Sequence, residues 1–526
     1  MGRNEQKQYE SLSPFELKNK LIQMAELRGE KMMLNAGRGN PNWVAMTPRK
    51  AFAELMLFAV EESERQPHRK RLGNMPEKKG IANRLQAFIS KKPDRPGPAF
   101  LKAALEYLRR ELKINLDDFV QEMADAILGD HYPTPDRMLT LSEKVVHEYL
   151  RREMGLRDKF DLFPTEGGTA AMDYIFSSLM ENKLAHKGDK IALGTPIFTP
   201  YIEIPRLNDY QFVELNLEQD ENNDWQYPDA ELKKLEDPSV KAFFLVNPSN
   251  PTSVAIQKKT LEKIGKLVRS KRPDLILLTD DVYGTFVNGF NSLAAVAPRN
   301  TILVYSYSKY FGATGWRLGV IGLQENNILD KMIRQLPKSE RAELHQRYST
   351  VELDPDNMKF IDRLVADSRS VALHHTAGLS TPQQVMMVLF SLYCLTDKKG
   401  AYKAEAQSIV QERFAELYQA IGLPAPRHEA DAHYYTTIDI PKLARERHGA
   451  DFSRWLTREH EPIDFVWRLA KEHNVVLMDG GGFDAPNMSI RVSLANLPLP
   501  AYQKIGQAIS ALLEKYHREW QAGRRS

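Results

Sequence analysis

The chain is nearly devoid of cysteine. Cys394 stands alone in 526 residues, so an internal disulfide and a cysteine-rich metal centre are excluded, and a reducing compartment suits the protein. Net charge is almost absent too. The 72 basic residues set against 69 acidic ones remove the broad basic footprint of a protein that works on nucleic acid or anionic lipid. No apolar run is long enough to cross a bilayer. The start Met1-Gly2-Arg3-Asn4-Glu5-Gln6 lacks the apolar stretch of a secretory signal, and Gln6 stands where myristoylation needs Ser or Thr. Internal repeats and low-complexity tracts are missing. The expectation is a cytoplasmic protein of small-molecule chemistry, without nucleic-acid or membrane partners. Its length and 42% hydrophobic content allow two domains and a large core.

What is present falls into an order. Ser13-Pro14-Phe15-Glu16 is a helix start, with Ser13 placed to cap and Glu16 to reach back, and Leu17, Leu21 and Met24 share one face. The break Asn35-Ala36-Gly37-Arg38-Gly39-Asn40-Pro41 precedes a second start at Thr47-Pro48. From Glu62 to Leu128 the chain is rich in charge and helix formers without strand alternation, which predicts a helical insertion. From Asp161 onward, short apolar runs such as Phe243-Phe244-Leu245-Val246 and Ile302-Leu303-Val304-Tyr305 alternate with helix-length segments, the pattern of buried strands in an α/β domain. A second charged helical stretch covers 324–368. A helix from Ser380 then leads to an α+β region, with strands expected at 434–440, 475–478 and 489–494 and a terminal helix from Leu499. The expected division is 1–61 as a segment of a small domain, 62–128 as insertion, 129–375 as large domain and 376–526 as the rest of the small domain.

Polar or Gly-rich clusters follow the expected strands, where an open α/β sheet presents its ligand crevice. Ser306, Ser308 and Lys309 precede Gly312, Gly315, Arg317 and Gly319, giving S-x-S-K-x-x-G-x-x-G-x-R-x-G. A lone loop lysine is a solvated charge, but here an arginine whose planar fork suits a phosphate dianion accompanies it. Asp280 and Tyr283 follow the apolar run 274–279, and Asn250 lies in Asn247-Pro248-Ser249-Asn250-Pro251-Thr252. Gly167-Gly168-Thr169 precedes a helix, whose free N–H groups attract phosphate. Phe198 stands two residues after Pro196. Arg491, in the alternating Ser489-Ile490-Arg491-Val492-Ser493, offers a carboxylate a bidentate partner.

In this joint order the motifs resemble those of the class I aminotransferases of pyridoxal-phosphate fold type I. The resemblance implies a large α/β domain with a mainly parallel seven-stranded sheet sandwiched by helices, and a smaller α+β domain. It implies that Lys309 carries pyridoxal 5'-phosphate as a Schiff base and moves the substrate proton. Gly168, Thr169, Ser306, Ser308 and Arg317 would hold the phosphate, and Phe198 would stack on the ring. Asp280 would pair with the ring nitrogen, making the ring an electron sink. Asn250 and Tyr283 would reach the phenolic oxygen, and Arg491, with Asn250, the substrate carboxylate end. Ser253 departs from the pattern, which commonly has Gly after N-P-T.

A closer resemblance, carried by 35–43, by 129–135 and by the two insertions, is to the aspartate 4-decarboxylase family. It implies conversion of L-aspartate to L-alanine and CO₂ through a ketimine and an enamine. Side aspartate aminotransferase activity would use a 2-oxo acid, pyruvate or 2-oxoglutarate, as amino acceptor. It also implies a homodimer with shared active sites, in which Tyr132 reaches the neighbour's cofactor phosphate, and assembly up to a dodecamer. Arg38 and Gly39 lie in the loop expected to face the substrate. Arg38 and Arg369 are candidates for the distal carboxylate, and each reads also as a solvated charge. Two rivals stand beside this reading. One is an aspartate or other α-amino acid aminotransferase without decarboxylation. The other is a pyridoxal-phosphate-binding regulator, which needs a helix-turn-helix and a basic face.

Overall fold

The structure, a computed structural model, describes residues 3–10, 12–26, 33–133, 135, 137–203, 211–369 and 378–524. The first strand, β1 (Leu34–Asn35), belongs to a smaller body. Seven strands then build the central sheet: β2 (Phe160–Thr165), β3 (Lys190–Thr195), β4 (Val213–Glu218), β5 (Val240–Val246), β6 (Ile276–Asp280), β7 (Thr301–Ser306) and β8 (Gly319–Gln324). Their spatial order is β2-β8-β7-β6-β5-β3-β4. Neighbours are parallel except that β8 runs antiparallel to both β7 and β2.

The inner strands β5, β6 and β7 read as nearly continuous apolar runs because both sheet faces are covered there. Alternate residues point to opposite sides. Phe244 and Leu278 pack with Met172 and Ile175 of helix Gly168–Glu181. Phe243, Leu245 and Leu277 pack with Leu261, Ile264 and Val268 of helix Lys258–Ser270. Each such side chain, fully withdrawn from water, contributes about 2–3 kcal/mol before entropy is counted.

The first charged stretch folds as helices Ile81–Ser90, Pro96–Arg110 and Leu116–Leu128. Asn115 caps the last, its side-chain oxygen accepting the N–H groups of Asp117 and Asp118. These helices share a core with helices Met46–Glu64 and Thr381–Thr396 and with one sheet face. The second stretch forms helices Ile328–Arg334, Lys338–Tyr348 and Phe360–Asp367. No helix among the described residues is long and apolar enough to cross a membrane.

The smaller body contains β9 (Tyr435–Asp439), β10 (Val475–Val476), β11 (Met478–Asp479) and β12 (Ser489–Ser493). β12 lies between β11 and β9, antiparallel to both, and β10 pairs in parallel with β1. The strand expected at 475–478 is therefore two, because the chain changes partner at Leu477. Helix Pro14–Glu26 adds Leu17, Leu21 and Ala25 to the core of this body, beside Leu417, Ile438, Val492 and Leu512. The Ser13 hydroxyl accepts the Glu16 N–H at 3.3 Å, as a capping serine does.

Candidate active site

The ends of β5, β6 and β7, the start of helix Gly168–Glu181 and the smaller body enclose a cavity of about 480 Å³. Asp280, the last residue of β6, lies in its wall and is buried. Its carboxylate accepts the Tyr201 hydroxyl at 2.6 Å and the Val282 N–H at 3.1 Å. Burial lifts the carboxyl to about 6, against those hydrogen bonds and the attraction of Lys309. Among the described residues no lysine or arginine forms an ion pair with it. A buried carboxylate of this kind is a seat for a cation.

Lys309 follows β7, and its Nζ donates to the Gly39 carbonyl at 3.0 Å. That carbonyl also accepts the Tyr434 hydroxyl at 2.9 Å. Gly39 has no room for a side chain, since a Cβ there would stand 2.4 Å from the Tyr435 hydroxyl.

The hydroxyls of Ser306 and Ser308 are 3.0 Å apart. β8 opens at Gly319, paired with Ser306 on one side and Thr165 on the other, which brings the loop after β2 beside the loop after β7. Gly167 takes a left-handed φ of 97° at the start of the following helix. A Cβ there would fall 2.3 Å from an Arg317 nitrogen, so the guanidinium rests on the bare glycine. Ser306, Ser308, Arg317, Gly168 and Thr169 all line the cavity. Together they are suited to a phosphate dianion.

Arg491 occupies the middle of β12 and is 2% exposed. Its guanidinium donates to Asn250 Oδ1 at 3.1 Å and to the Gly37 carbonyl at 2.7 Å. It lies over the rings of Tyr435 at 4.3 Å and Phe483 at 4.9 Å. Burial lowers its pKa, and among the described residues no carboxylate forms an ion pair with it. Nε has no hydrogen-bond partner there. A buried, unneutralised guanidinium is costly unless a carboxylate arrives to complete it.

The cavity brings together Arg38, Gly39, Gly168, Thr169, Phe198, Asn250, Asp280, Tyr283, Ser306, Ser308, Lys309, Arg317 and Arg491. It does not bring in Tyr132 or Arg369. Tyr132 is 64% exposed, and Thr134 in the same stretch lies outside the described residues. Arg369 follows helix Phe360–Asp367, is buried at 4% exposure and borders the undescribed 370–377, so it is not a solvated surface charge.

Lys18, Tyr201 and Tyr435 also line the cavity and carry no motif. Lys18 comes from helix Pro14–Glu26, where its position beside Leu17 looks like an ordinary polar face. Burial, then the nearby Arg38 and Arg491, lower its pKa. The Tyr435 hydroxyl meets that of Tyr283 at 3.0 Å. Ser253, the departure from the motif, explains part of this placement. It takes a left-handed φ of 64°, where glycine is cheapest, and its hydroxyl oxygen accepts the Tyr435 N–H at 2.7 Å.

Residues 130–509 match the family of class I and II aminotransferases. The chain belongs to that family. Among aminotransferase relatives, it is 48% identical over 97% of its length, and 98% of the other chain, to a bifunctional aspartate aminotransferase and L-aspartate beta-decarboxylase from a Pseudomonas species. An aspartate aminotransferase from Pyrococcus horikoshii is 28% identical over 38% of this chain and 51% of its own. The aminotransferase fold is equally plain in solved structures. A Thermus thermophilus aspartate aminotransferase mutant superposes with a TM-score of 0.62 at 17% identity, covering 95% of this chain and 97% of that one. The aspartate aminotransferase of Rhizobium meliloti gives 0.61 at 15% identity over 96% of each.

Proposed function

We propose that the protein is a pyridoxal-phosphate-dependent aspartate 4-decarboxylase that releases the distal carboxyl group of L-aspartate as CO₂, forms L-alanine, and transaminates aspartate as a side reaction. The observation that carries this reading is the near full-length 48% identity to the bifunctional Pseudomonas enzyme, joined to a cavity whose charges suit both cofactor and substrate. The buried, unpaired Asp280 fits a pyridinium nitrogen, and the Ser306, Ser308, Arg317 and Gly168–Thr169 groups fit a phosphate. Phe198, turned edge-on to Tyr201 at 5.2 Å, fits a ring face. Bound there, pyridoxal phosphate supplies an electron sink for bonds made and broken next to the amino nitrogen.

The chain's own residues account for the rest. Lys309 holds the cofactor and moves the Cα proton, and its contact with the Gly39 carbonyl keeps its amine on the substrate side. Arg491 takes the α-carboxylate, for which Asn250 and the Tyr435 ring hold its fork in plane. Tyr283, with Asn250, answers the cofactor's phenolic oxygen. Lys18 and the exposed Arg38 face the other end of the substrate. A tight ion pair to a departing carboxylate would stabilise the ground state more than a transition state that resembles neutral CO₂. Two partly solvated cations orient that group without clamping it. Phe15 and Phe198, in edge contact at 5.9 Å, limit water, which would otherwise divert the reaction to oxaloacetate. Pyruvate or 2-oxoglutarate then restores the enzyme as amino acceptor. Tyr132, exposed in the single chain, serves the phosphate site of a neighbouring subunit, which makes a homodimer the smallest competent unit and allows larger assembly up to a dodecamer. A cytoplasmic location suits the free, buried Cys394.

The test is reconstitution with pyridoxal phosphate. The wild type should gain the visible absorbance of lysine-bound cofactor and convert aspartate to alanine and CO₂. Lys309→Ala should lose the absorbance and both activities, and a variant that turns over normally would overturn the assignment.

A further inference from the structure

A second cavity, of about 250 Å³, shares two walls with the active site. Thr252 lines it from the segment that presents Asn250 to Arg491, and Thr436 and Thr437 line it from the strand that presents Tyr435. Its remaining walls combine aromatic rings, from Trp225, Phe414 and Tyr418, with the carboxylates of Glu221, Asp431, Asp439 and Glu446. The basic groups in its lining are already engaged. Lys442 pairs with Glu221 at 2.8 Å, and His428 with Asp224 at 3.0 Å.

Asp431 is the deepest of the acids, with its side chain 4% exposed. It accepts the His433 N–H at 2.6 Å. Burial lifts its carboxyl to about 7, offset only by that N–H. The His433 imidazole lies 3.8 Å away, and its own pKa is lowered by burial, so it is a poor counter-ion. Aromatic faces beside an uncompensated carboxylate attract organic cations and repel dicarboxylates.

Asp431 also sits on the fastening of the shared loop. It bridges Val254, and on either side the Ala255 N–H donates to the Ala430 carbonyl at 2.8 Å and the Ala432 N–H to the Ser253 carbonyl at 2.9 Å. We propose that this second cavity binds a small organic monocation with an aromatic or branched apolar body, and that the loop 249–255 carries its occupancy to Asn250 and Arg491. The ligand differs in charge from every reactant of the proposed reaction, so the two cavities do not compete.

Benzyltrimethylammonium is the probe, because a quaternary nitrogen cannot condense with the cofactor's aldehyde. Calorimetric titration of the holoenzyme, at a pH above the Asp431 value, should show saturable binding that saturating succinate does not displace. Asp431→Asn should weaken it by at least about tenfold. Glu446→Gln, on the cavity wall away from the loop fastening, should weaken it about threefold if the first variant folds poorly. Absence of saturable binding, displacement by succinate, or affinity unchanged in both variants would overturn the site. Saturating probe should also change KM for aspartate by at least about twofold, and an unchanged KM would overturn the coupling. That last arm rests on the proposed aspartate chemistry. Were the enzyme inert toward aspartate, the function would fail while the binding result stood.

Discussion

Replacing Asp280 with asparagine should make the cofactor-free protein more stable and the enzyme inactive. Burial lifts the Asp280 carboxyl from 3.8 to about 6. Between those values the folded state keeps a proton that the unfolded chain has released, so stability falls as pH rises through the window. A carboxyl displaced this far costs the folded apoprotein roughly 3 kcal/mol at neutral pH. Asparagine does not ionise; its amide oxygen can still accept the Tyr201 hydroxyl, and the loss of the acceptor for the Val282 N–H costs about 1 kcal/mol at every pH. The stability difference should therefore grow in the variant's favour by roughly 3 kcal/mol as pH rises from below the lower value to above the upper one. Urea unfolding of both apoproteins across that range measures it. Pyridoxal phosphate should reverse the order, because its pyridinium supplies the cation that the aspartate lacks and asparagine cannot use. A difference that stays flat with pH would refute the picture of an uncompensated buried carboxylate waiting for a cation.

Arg491→Ala should raise KM for aspartate about 100-fold, the loss of two charge-assisted hydrogen bonds, as steady-state kinetics would show. Arg38→Ala and Lys18→Ala should each change the ratio of alanine to oxaloacetate formed from aspartate while leaving the lysine-bound cofactor absorbance intact; an unaltered ratio would return Arg38 to the role of a solvated charge and remove Lys18 from the substrate site. Ser253→Gly should leave thermal stability within about 1 kcal/mol, because relief of the left-handed φ offsets the lost Tyr435 anchor. The same variant should raise KM several-fold by freeing Tyr435 beneath Arg491.

The side of the cavity built by the central sheet was legible in the chain, and the side closed by the smaller body was only partly so. Lys309 and Asn250 follow strand ends, Asp280 closes β6 and Arg317 lies just before β8, and the geometry of strand and loop fixes their spacing, so local motifs report them. The apolar runs likewise revealed β5, β6 and β7, while the polar edge strand β4 (Val213–Glu218) carries no such run. The side closed by the smaller body is assembled across great sequence distances. Arg491 meets Gly37 across 454 positions and Lys309 meets Gly39 across 270. No local pattern marks Lys18, whose neighbours make its helix look ordinarily amphipathic, or Tyr435, which sits in an unremarkable strand. Helix Met46–Glu64 shows the same limit. The start signal at Thr47-Pro48 predicted a helix, but only packing shows that Ala51, Leu55 and Phe58 join the core of the large body. Ser253 looked like a flaw in the motif, and its hydroxyl proves to be a fastening that glycine could not provide.

The most direct test of the reaction is aspartate labelled with ¹³C at C4, given to the reconstituted holoenzyme. The label should leave as CO₂ in step with the appearance of unlabelled alanine, because the distal carboxylate departs while Arg491 retains the α-carboxylate. Label that remains in oxaloacetate, with no alanine formed, would contradict the account and leave an aminotransferase alone.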